Sequence, residues 1–470
     1  MRHPIIKLIL IATCLRLIFA WSIGLGVDES YMVSAGRVVS LGYFDHPPAA
    51  WWLSQGAVRL FGSEAPLIAR LPFILLFALT TWLMGRLGAV LGGERAGFFA
   101  ALTLNLSPVF GMASGTWVLP DGPLDCAAVG AALCLAKGLE DGRAVLRWWC
   151  GAGLCAGLAL FSKYSAVLTI FGAFIFLLTQ PSWFRRPEPW SAAALAALVF
   201  SPVLIWNATH DWASFAFQGA RAIGPPRFHP FAPVATLAGE ALFVLPWFWL
   251  PMVVLGFRGF RSGWRDRLLA CLAAPPIVVF ALISVWSSQR ILFHWAAPGY
   301  LMLFPLLGRF VAERWDRRAM RTWIVGTALF VLAGLTVAGT QIRFGWLTAN
   351  SATAEGLDWT SLRDELAARG LLSPGAIVGV ANWRDAGKIA RALGPDIVVL
   401  CLNRDARQFG IAYPAERYAG RDMVLLGAAD PSRFDRIEPL PAAAVTLRGE
   451  VLKHVAVAIG HGFIPASVDP

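Results

Sequence analysis

Two short stretches concentrate the side chains best suited to chemistry. Val27-Asp28-Glu29-Ser30-Tyr31 follows the first apolar segment, and Leu41-Gly42-Tyr43-Phe44-Asp45-His46-Pro47-Pro48 comes soon after it. Acidic residues directly at a helix exit, followed by aromatics and a double proline, are unusual in a loop that only connects spans. Residue types alone leave a solvated loop with interfacial aromatics equally open. Residues 31–39 and 49–61 each read as an amphipathic helix lying on the membrane surface, which would hold Asp28 and Asp45 near a lipid headgroup. Lys163 and Tyr164 stand at a helix end with apolar residues on both sides. A buried ammonium is costly, so a phosphate partner accounts for Lys163, with snorkelling to the interface as the alternative. Arg70 has the same two readings, with more weight on structure. Asp125, in an apolar helix, is either functional or paired with Arg16. Arg290 and His294 lie in a short loop, 287–294. Arg221, Arg227 and His229 lie in a longer one, 207–235, whose Pro225-Pro226 suits a lid or an acceptor-recognition segment.

These residues need elements to hold them, and the composition says what kind. Of 470 residues, 57% are hydrophobic and 15% charged, the mean hydropathy is +0.61 and the net charge is +11. A soluble protein usually carries about a quarter charged residues. The chain therefore reads as a polytopic α-helical membrane protein, which excludes a secreted disulfide scaffold, a disordered chain and an ordinary cytosolic enzyme. Eleven candidate spans occur at 5–23, 66–91, 96–118, 123–136, 148–161, 165–179, 191–206, 236–257, 268–286, 295–311 and 323–340. Those at 123–136 and 148–161 are shorter than the roughly 20 residues a crossing needs. The first span is interrupted by Arg16 and lacks a small-residue cleavage site, so it reads as retained rather than as a signal peptide. Basic residues gather in alternate loops, which puts the N-terminus in the cytoplasm. Eleven crossings then put residues 341–470 in the periplasm.

That tail holds fourteen basic and fourteen acidic residues and has no spanning segment. Strands are expected at 376–380, 397–401 and 423–426, with helices at 362–368 and 386–393 and Thr360 or Ser361 as a cap. The expected organisation is a transmembrane domain, 1–340, with an external loop, 26–65, followed by a small α/β domain, 341–470. Since the tail is neutral, the whole excess of positive charge lies in the membrane part, on the side drawn as cytoplasmic. It is a topology signal, and no nucleic-acid partner is expected. The seven cysteines are scattered and form no paired framework.

The pattern Asp28-Glu29-x-Tyr31 followed by Gly42-Tyr43-Phe44-Asp45-His46-Pro47-Pro48 resembles the first external loop of the protein-mannosyltransferase-like GT-C glycosyltransferases, which comprise glycosyltransferase family 39 and the related aminoarabinose-lipid A transferases. Arg70-Leu71-Pro72, Pro120-Asp121-Gly122-Pro123-Leu124, the stretch from Gly157 to Tyr164 and His294-Trp295-Ala296-Ala297-Pro298 agree in order. Gln408-Phe409 in the tail is similar to a pattern of bacterial members. The resemblance covers roughly residues 1–340 and part of the tail.

The resemblance implies a GT-C fold and transfer of a sugar from a polyprenyl-phosphate donor, with inversion, on the outer face of the inner membrane. The acceptor would be a lipid, a glycan or a protein. Such a reaction needs a base for the acceptor hydroxyl and a cation for the leaving phosphate. Asp28 matches the family's catalytic Asp. Glu29 adjoins it, and neighbouring positions on a helix diverge, so only one of the two is expected to face the site. Tyr31, Asp45, His46, Arg70, Lys163, Tyr164, Arg290 and His294 are assigned to the donor, and Pro47-Pro48 stiffens the loop. Asp28 and Asp121 together could bind a divalent metal, although two carboxylates are a thin ligand set; cofactor dependence stays open. The competing readings are a secondary transporter, another lipid-linked glycan ligase or polymerase, and an inactive scaffold. A transporter would place its charges near the midplane, whereas here they cluster at one face.

Overall fold

A computed structural model describes residues 2–140, 145–223, 228–287, 291–346 and 351–465. The protein is a polytopic helical membrane protein. Among the described residues, seven helices are long and apolar enough to span a bilayer: Pro4–Ser22, Pro66–Gly92, Asp121–Leu139, Val145–Ser162, Pro187–Ala208, Trp264–Ile283 and Arg318–Phe344. Two more apolar stretches are broken. Ala232–Val244 and Pro246–Gly259 meet at 113°, and Phe293–Leu301 and Phe304–Arg314 at 59°. The first break has a local cause: Pro246 follows Leu245, whose φ is 88°.

All eleven expected segments contain helix, and two of them hold only thirteen-residue helices, Glu94–Leu106 and Ala166–Leu178. The segment expected at 96–118 leaves its helix before Pro108 and continues as a π-helical turn, Phe110–Ser114. Conversely, the segment expected at 123–136 is longer than foreseen, because Asp121 opens the helix.

The chain divides into two compact units. The first comprises Met1–Leu17, Leu41–Ala50 and Leu71–Ala333, and the second Ile18–Ser40, Trp51–Arg70 and Gly334–Pro470. In the first unit a continuous core runs from Phe77 through Phe110, Phe176, Phe248 and Tyr300 to Phe304. Small residues let its helices approach closely: a Cβ added to Gly157 would lie 2.6 Å from the Cβ of Val199. Leu10, Leu79, Leu198, Leu329 and Phe330 are exposed, as lipid-facing residues of a span would be.

The second unit contains a five-stranded sheet: β1 (Ile377–Val380), β2 (Val398–Cys401), β3 (Met423–Leu426), β4 (Phe434–Leu447) and β5 (Glu450–Phe463). The order is β2-β1-β3-β5-β4, with β1 parallel to β2 and β3, and β5 antiparallel to β3 and β4. The first three strands were expected. The long β4–β5 hairpin was not, since Pro439, Pro441 and interspersed charges hide its alternation. Its turn, Arg448-Gly449, has positive φ at both residues, as a two-residue hairpin requires. Helix Thr360–Ala368 forms, but neither Thr360 nor Ser361 caps it. The N-cap is Trp359, and the Ser361 Oγ accepts the Thr446 N–H at 3.1 Å. Helix Trp383–Leu393 begins earlier than expected because Asn382 accepts the Asp385 N–H at 3.0 Å.

Candidate functional site

In the second unit, the helix expected at 31–39 is observed at Val27–Ala35, so Asp28 and Glu29 lie in its first turn. The Gly26 N–H donates to Glu29 Oε2 at 2.8 Å, half of a capping box. Glu29 also receives Arg70 in a fork, Nε to Oε1 at 2.8 Å and Nη2 to Oε2 at 2.6 Å. The Arg70 guanidinium further donates to the carbonyls of Ala20 (3.2 Å), Ile23 (3.1 Å) and Gly24 (2.7 Å). A guanidinium has five N–H donors, and these bonds engage all five.

Arg70 therefore has no N–H left for a donor phosphate, and the expectation that it contacts the donor gives way to a clamp on the end of the first helix. Glu29, expected beside Asp28 as a catalytic carboxylate, is committed to the same clamp. That leaves Asp28, one residue earlier, as the carboxylate open to solvent. Protein packed around the base of its side chain, with Glu29 and Glu355 nearby, raises its carboxyl above the usual carboxylate range, against the pull of Arg384 and Arg407. A carboxyl moved toward neutrality is a better general base than an ordinary one.

Tyr31, expected at the donor, is buried, and its hydroxyl accepts the Gln408 N–H at 3.0 Å. Its ring meets Trp51 and Trp383 edge-on at 5.4 and 5.1 Å and Phe409 at 5.8 Å. The Gln408-Phe409 motif thus packs on the helix that bears Asp28. Lys388, which the sequence did not single out, is 2% exposed and donates to the carbonyls of Leu25 (2.6 Å), Glu355 (3.0 Å) and Leu357 (2.5 Å). Burial lowers its ammonium to about 8. Trp383, Arg384 and Arg407 were also missed; nothing local marks them, because what they share is proximity to Asp28.

In the first unit a separate polar group assembles. Lys163 follows the end of helix Val145–Ser162, and its Nζ donates to Asp121 Oδ1 at 2.9 Å, in the first turn of helix Asp121–Leu139. His294 and His46 stand within electrostatic reach of Asp121. A cavity of about 100 Å³ is lined by His46, Lys163, Tyr164, Gln218, Arg221 and Trp295, among others. Arg221 lies 4.7 Å over the Trp295 ring, and Gln218 donates to the Asp45 carbonyl at 2.5 Å. The Tyr164 hydroxyl is 2.8 Å from Ser214 Oγ.

The structure thus brings together His46, Asp121, Lys163, Tyr164 and His294, with Asp45 backing them. Asp125 accepts a 2.5 Å bond from Ser114, while Arg16 donates to the Gly111 carbonyl and lies over Phe77. Arg290, Pro225, Pro226 and Arg227 lie outside the described residues. Among the described residues no three His, Cys, Asp or Glu side chains form a metal-binding group, and Asp121 is engaged by Lys163.

The chain is similar to several known proteins. A family model described as dolichyl-phosphate-mannose-protein mannosyltransferase matches residues 45–206. ArnT from Cupriavidus metallidurans has the same fold: its apo crystal structure covers 97% of both chains at a TM-score of 0.65 and 15% identity. A second crystal structure of that protein, bound to undecaprenyl phosphate, covers 96% of this chain and 97% of that one at a TM-score of 0.63. The chain therefore shares its fold with ArnT. Two curated relatives are similar in sequence. The lipid A galacturonosyltransferase RgtD of Rhizobium johnstonii is 26% identical over 292 residues, 58% of each chain. The undecaprenyl phosphate-alpha-4-amino-4-deoxy-L-arabinose arabinosyl transferase 1 of Proteus mirabilis is 24% identical over 321 residues, 64% of this chain and 56% of the relative. Both matches span less than two thirds of the relative's length.

Proposed function

We propose that this protein is an inverting membrane glycosyltransferase that moves a sugar from a polyprenyl-phosphate donor to a lipid acceptor on the periplasmic face of the inner membrane. The observation that carries the reading is the Lys163 site: a cation with one carboxylate partner, at the wall of a small cavity that His46 and Tyr164 also line. Such a group can take a phosphate without leaving a buried charge uncompensated. The relatives' names, one a lipid A transferase and the other acting with an undecaprenyl-phosphate sugar, support the same donor and acceptor classes.

In this reading Asp28 accepts the proton of the acceptor hydroxyl as its oxygen attacks the anomeric carbon. The bond from that carbon to the phosphate oxygen breaks, and the polyprenyl phosphate leaves with the electron pair. Lys163 balances the charge that grows on the phosphate, with His46 and Tyr164 orienting it. Attack opposite the leaving group inverts the anomeric centre. The basic cytoplasmic loops support a cytoplasmic N-terminus and a periplasmic second unit.

Purified full-length protein in lipid nanodiscs, given undecaprenyl-phosphate sugars and lipid A, tests the activity. Asp28→Asn should lower transfer by about a thousandfold, the scale of losing a general base, with melting unchanged. Transfer by that variant at the wild-type rate would sink the base assignment.

A further inference from the structure

The first unit contains a cavity larger than the one beside Lys163 and unlike it in character. Its volume is about 300 Å³, and it lies among the helices Asp121–Leu139, Val145–Ser162, Ala166–Leu178 and Pro187–Ala208. We propose that it holds an acyl chain of a membrane phospholipid whose anionic headgroup rests on Lys137, Arg147 and Arg185. This goes beyond the transfer reaction and does not depend on it.

The walls suit a hydrocarbon chain. Ala128, Ala132, Ala152, Ala156 and Ala196 line the cavity from three helices, and side chains this short leave a furrow between them. Ala193 and Trp190 belong to the same wall and are exposed, so the furrow opens onto the surface of the unit. Its size falls within the range of ligand pockets. One end is basic and aromatic. Trp149 and Phe184 line the cavity there. The Lys137 Nζ and the Arg147 guanidinium carbon lie 5.2 and 5.0 Å from the ring of Trp148. The ring of Trp149 is 5.1 Å from that of Trp183, and Arg185 directly follows Phe184 in the turn Pro181–Arg185. The three cations therefore gather at one mouth.

The carboxylates at this end are committed to other arginines. Glu188 pairs with Arg186 at 2.6 Å and Glu140 with Arg265 at 3.0 Å. Asp141 and Arg143 lie outside the described residues, and their charges offset one another. Among the described residues Lys137, Arg147 and Arg185 have no ion-pair partner. Basic groups between transmembrane helices recognise anionic lipid headgroups, and indole rings settle at the same level. The lipid is not the sugar donor. Arg147 and Ser162 stand near opposite ends of one helix, roughly 22 Å apart at 1.5 Å per residue, and Lys163 follows Ser162. A phosphate held at Lys163 leaves this mouth to a second lipid. The competing reading, in which the cations only orient the chain in the bilayer, gives the cavity no part in binding.

Native mass spectrometry of the delipidated full-length protein distinguishes the two, with equal amounts of phosphatidylglycerol and phosphatidylethanolamine as probes. Wild type should retain one phosphatidylglycerol, preferred by about tenfold, since each basic residue near an anionic lipid adds about fivefold. Arg147→Gln combined with Arg185→Gln should bring the two lipids level. Ala193→Phe, which fills the furrow, should cut phosphatidylglycerol retention by about tenfold, the scale of losing two buried methylenes. Equal retention of both lipids by wild type, a preference that survives R147Q/R185Q, or retention untouched by A193F overturns the proposal. Undecaprenyl phosphate serves as a third probe, and its binding should be the same in wild type and A193F. If A193F weakens it as much as phosphatidylglycerol, the cavity belongs to a polyprenyl chain and the proposal falls. Arg147, Arg185 and Ala193 are exposed, so these substitutions leave the core intact. Wild type alone also decides the headgroup contact: added salt should narrow its preference, and a preference indifferent to salt overturns that contact.

Discussion

Two buried carboxylate–cation pairs, one in each unit, look alike in sequence and differ in what they leave available. Glu29–Arg70 joins at 2.6 Å and Asp121–Lys163 at 2.9 Å. In the first, three backbone carbonyls take every remaining donor of the arginine, so the pair is closed. In the second, Asp121 is the one hydrogen-bond partner of Lys163 among the described residues, two N–H donors remain, and the ammonium lines a cavity. A cation that is part of a completed hydrogen-bond set holds structure; one that still has donors facing a cavity can hold a ligand.

The sharpest way to break this comparison is to remove each cation. Arg70→Met strands a buried carboxylate and three carbonyls, and should cost about 3–5 kcal/mol of stability, read as a large fall in melting temperature and poor accumulation in the membrane. A variant that melts like wild type would show that the clamp is not structural. Lys163→Met strands one buried carboxylate, Asp121, but no backbone carbonyl, so its melting temperature should fall less than that of R70M. Its loss of transition-state charge balance lowers transfer by about a hundredfold or more. Equal loss of stability in the two variants would erase the distinction between a closed and an open pair.

The sequence was informative where the signal is local. Apolar runs marked where helices form, although among the described residues only seven helices, or nine spans if each bent pair counts as one, are long and apolar enough to cross a bilayer against the eleven expected, and short β-branched runs found β1 to β3. The break at Leu245-Pro246 was not read, and 236–257 was expected as one span, because a proline inside an apolar run is compatible with a continuous helix as well as with a break. Asp28 and Lys163 stand out as candidates by residue type and position, but residue types could not tell the open Lys163 from the closed Arg70; that depends on which carbonyls happen to lie nearby. Lys388 was invisible for the same reason. Its partner Leu25 is 363 residues away, and Gln408 meets Tyr31 across 377.

Lys388 extends the comparison to a closed cation that can still titrate. Its three N–H groups serve the carbonyls of Leu25, Glu355 and Leu357, so it ties the residue just before the Asp28 helix to the segment after the last apolar helix. Burial holds it near 8 rather than its ordinary 10.5. Because the folded value is depressed, the charged form is penalised in the fold. Linkage then makes the unfolded state bind more protons between about pH 8 and 10.5, so this group's contribution to stability rises across that window and is lost as pH falls through 8. A neutral amine, however, has only two N–H donors for three carbonyls, so the tie to Leu25, Glu355 and Leu357 becomes looser even as the burial penalty is relieved. The expected result is a separation of two readouts. From pH 7.5 to 10, the melting temperature of wild type should rise relative to Lys388→Met, while amide exchange in the segment around Leu25 should accelerate in wild type beyond its intrinsic pH dependence. Parallel melting curves for the two proteins over that range would mean that Lys388 does not titrate there. It would then be as closed a cation as Arg70.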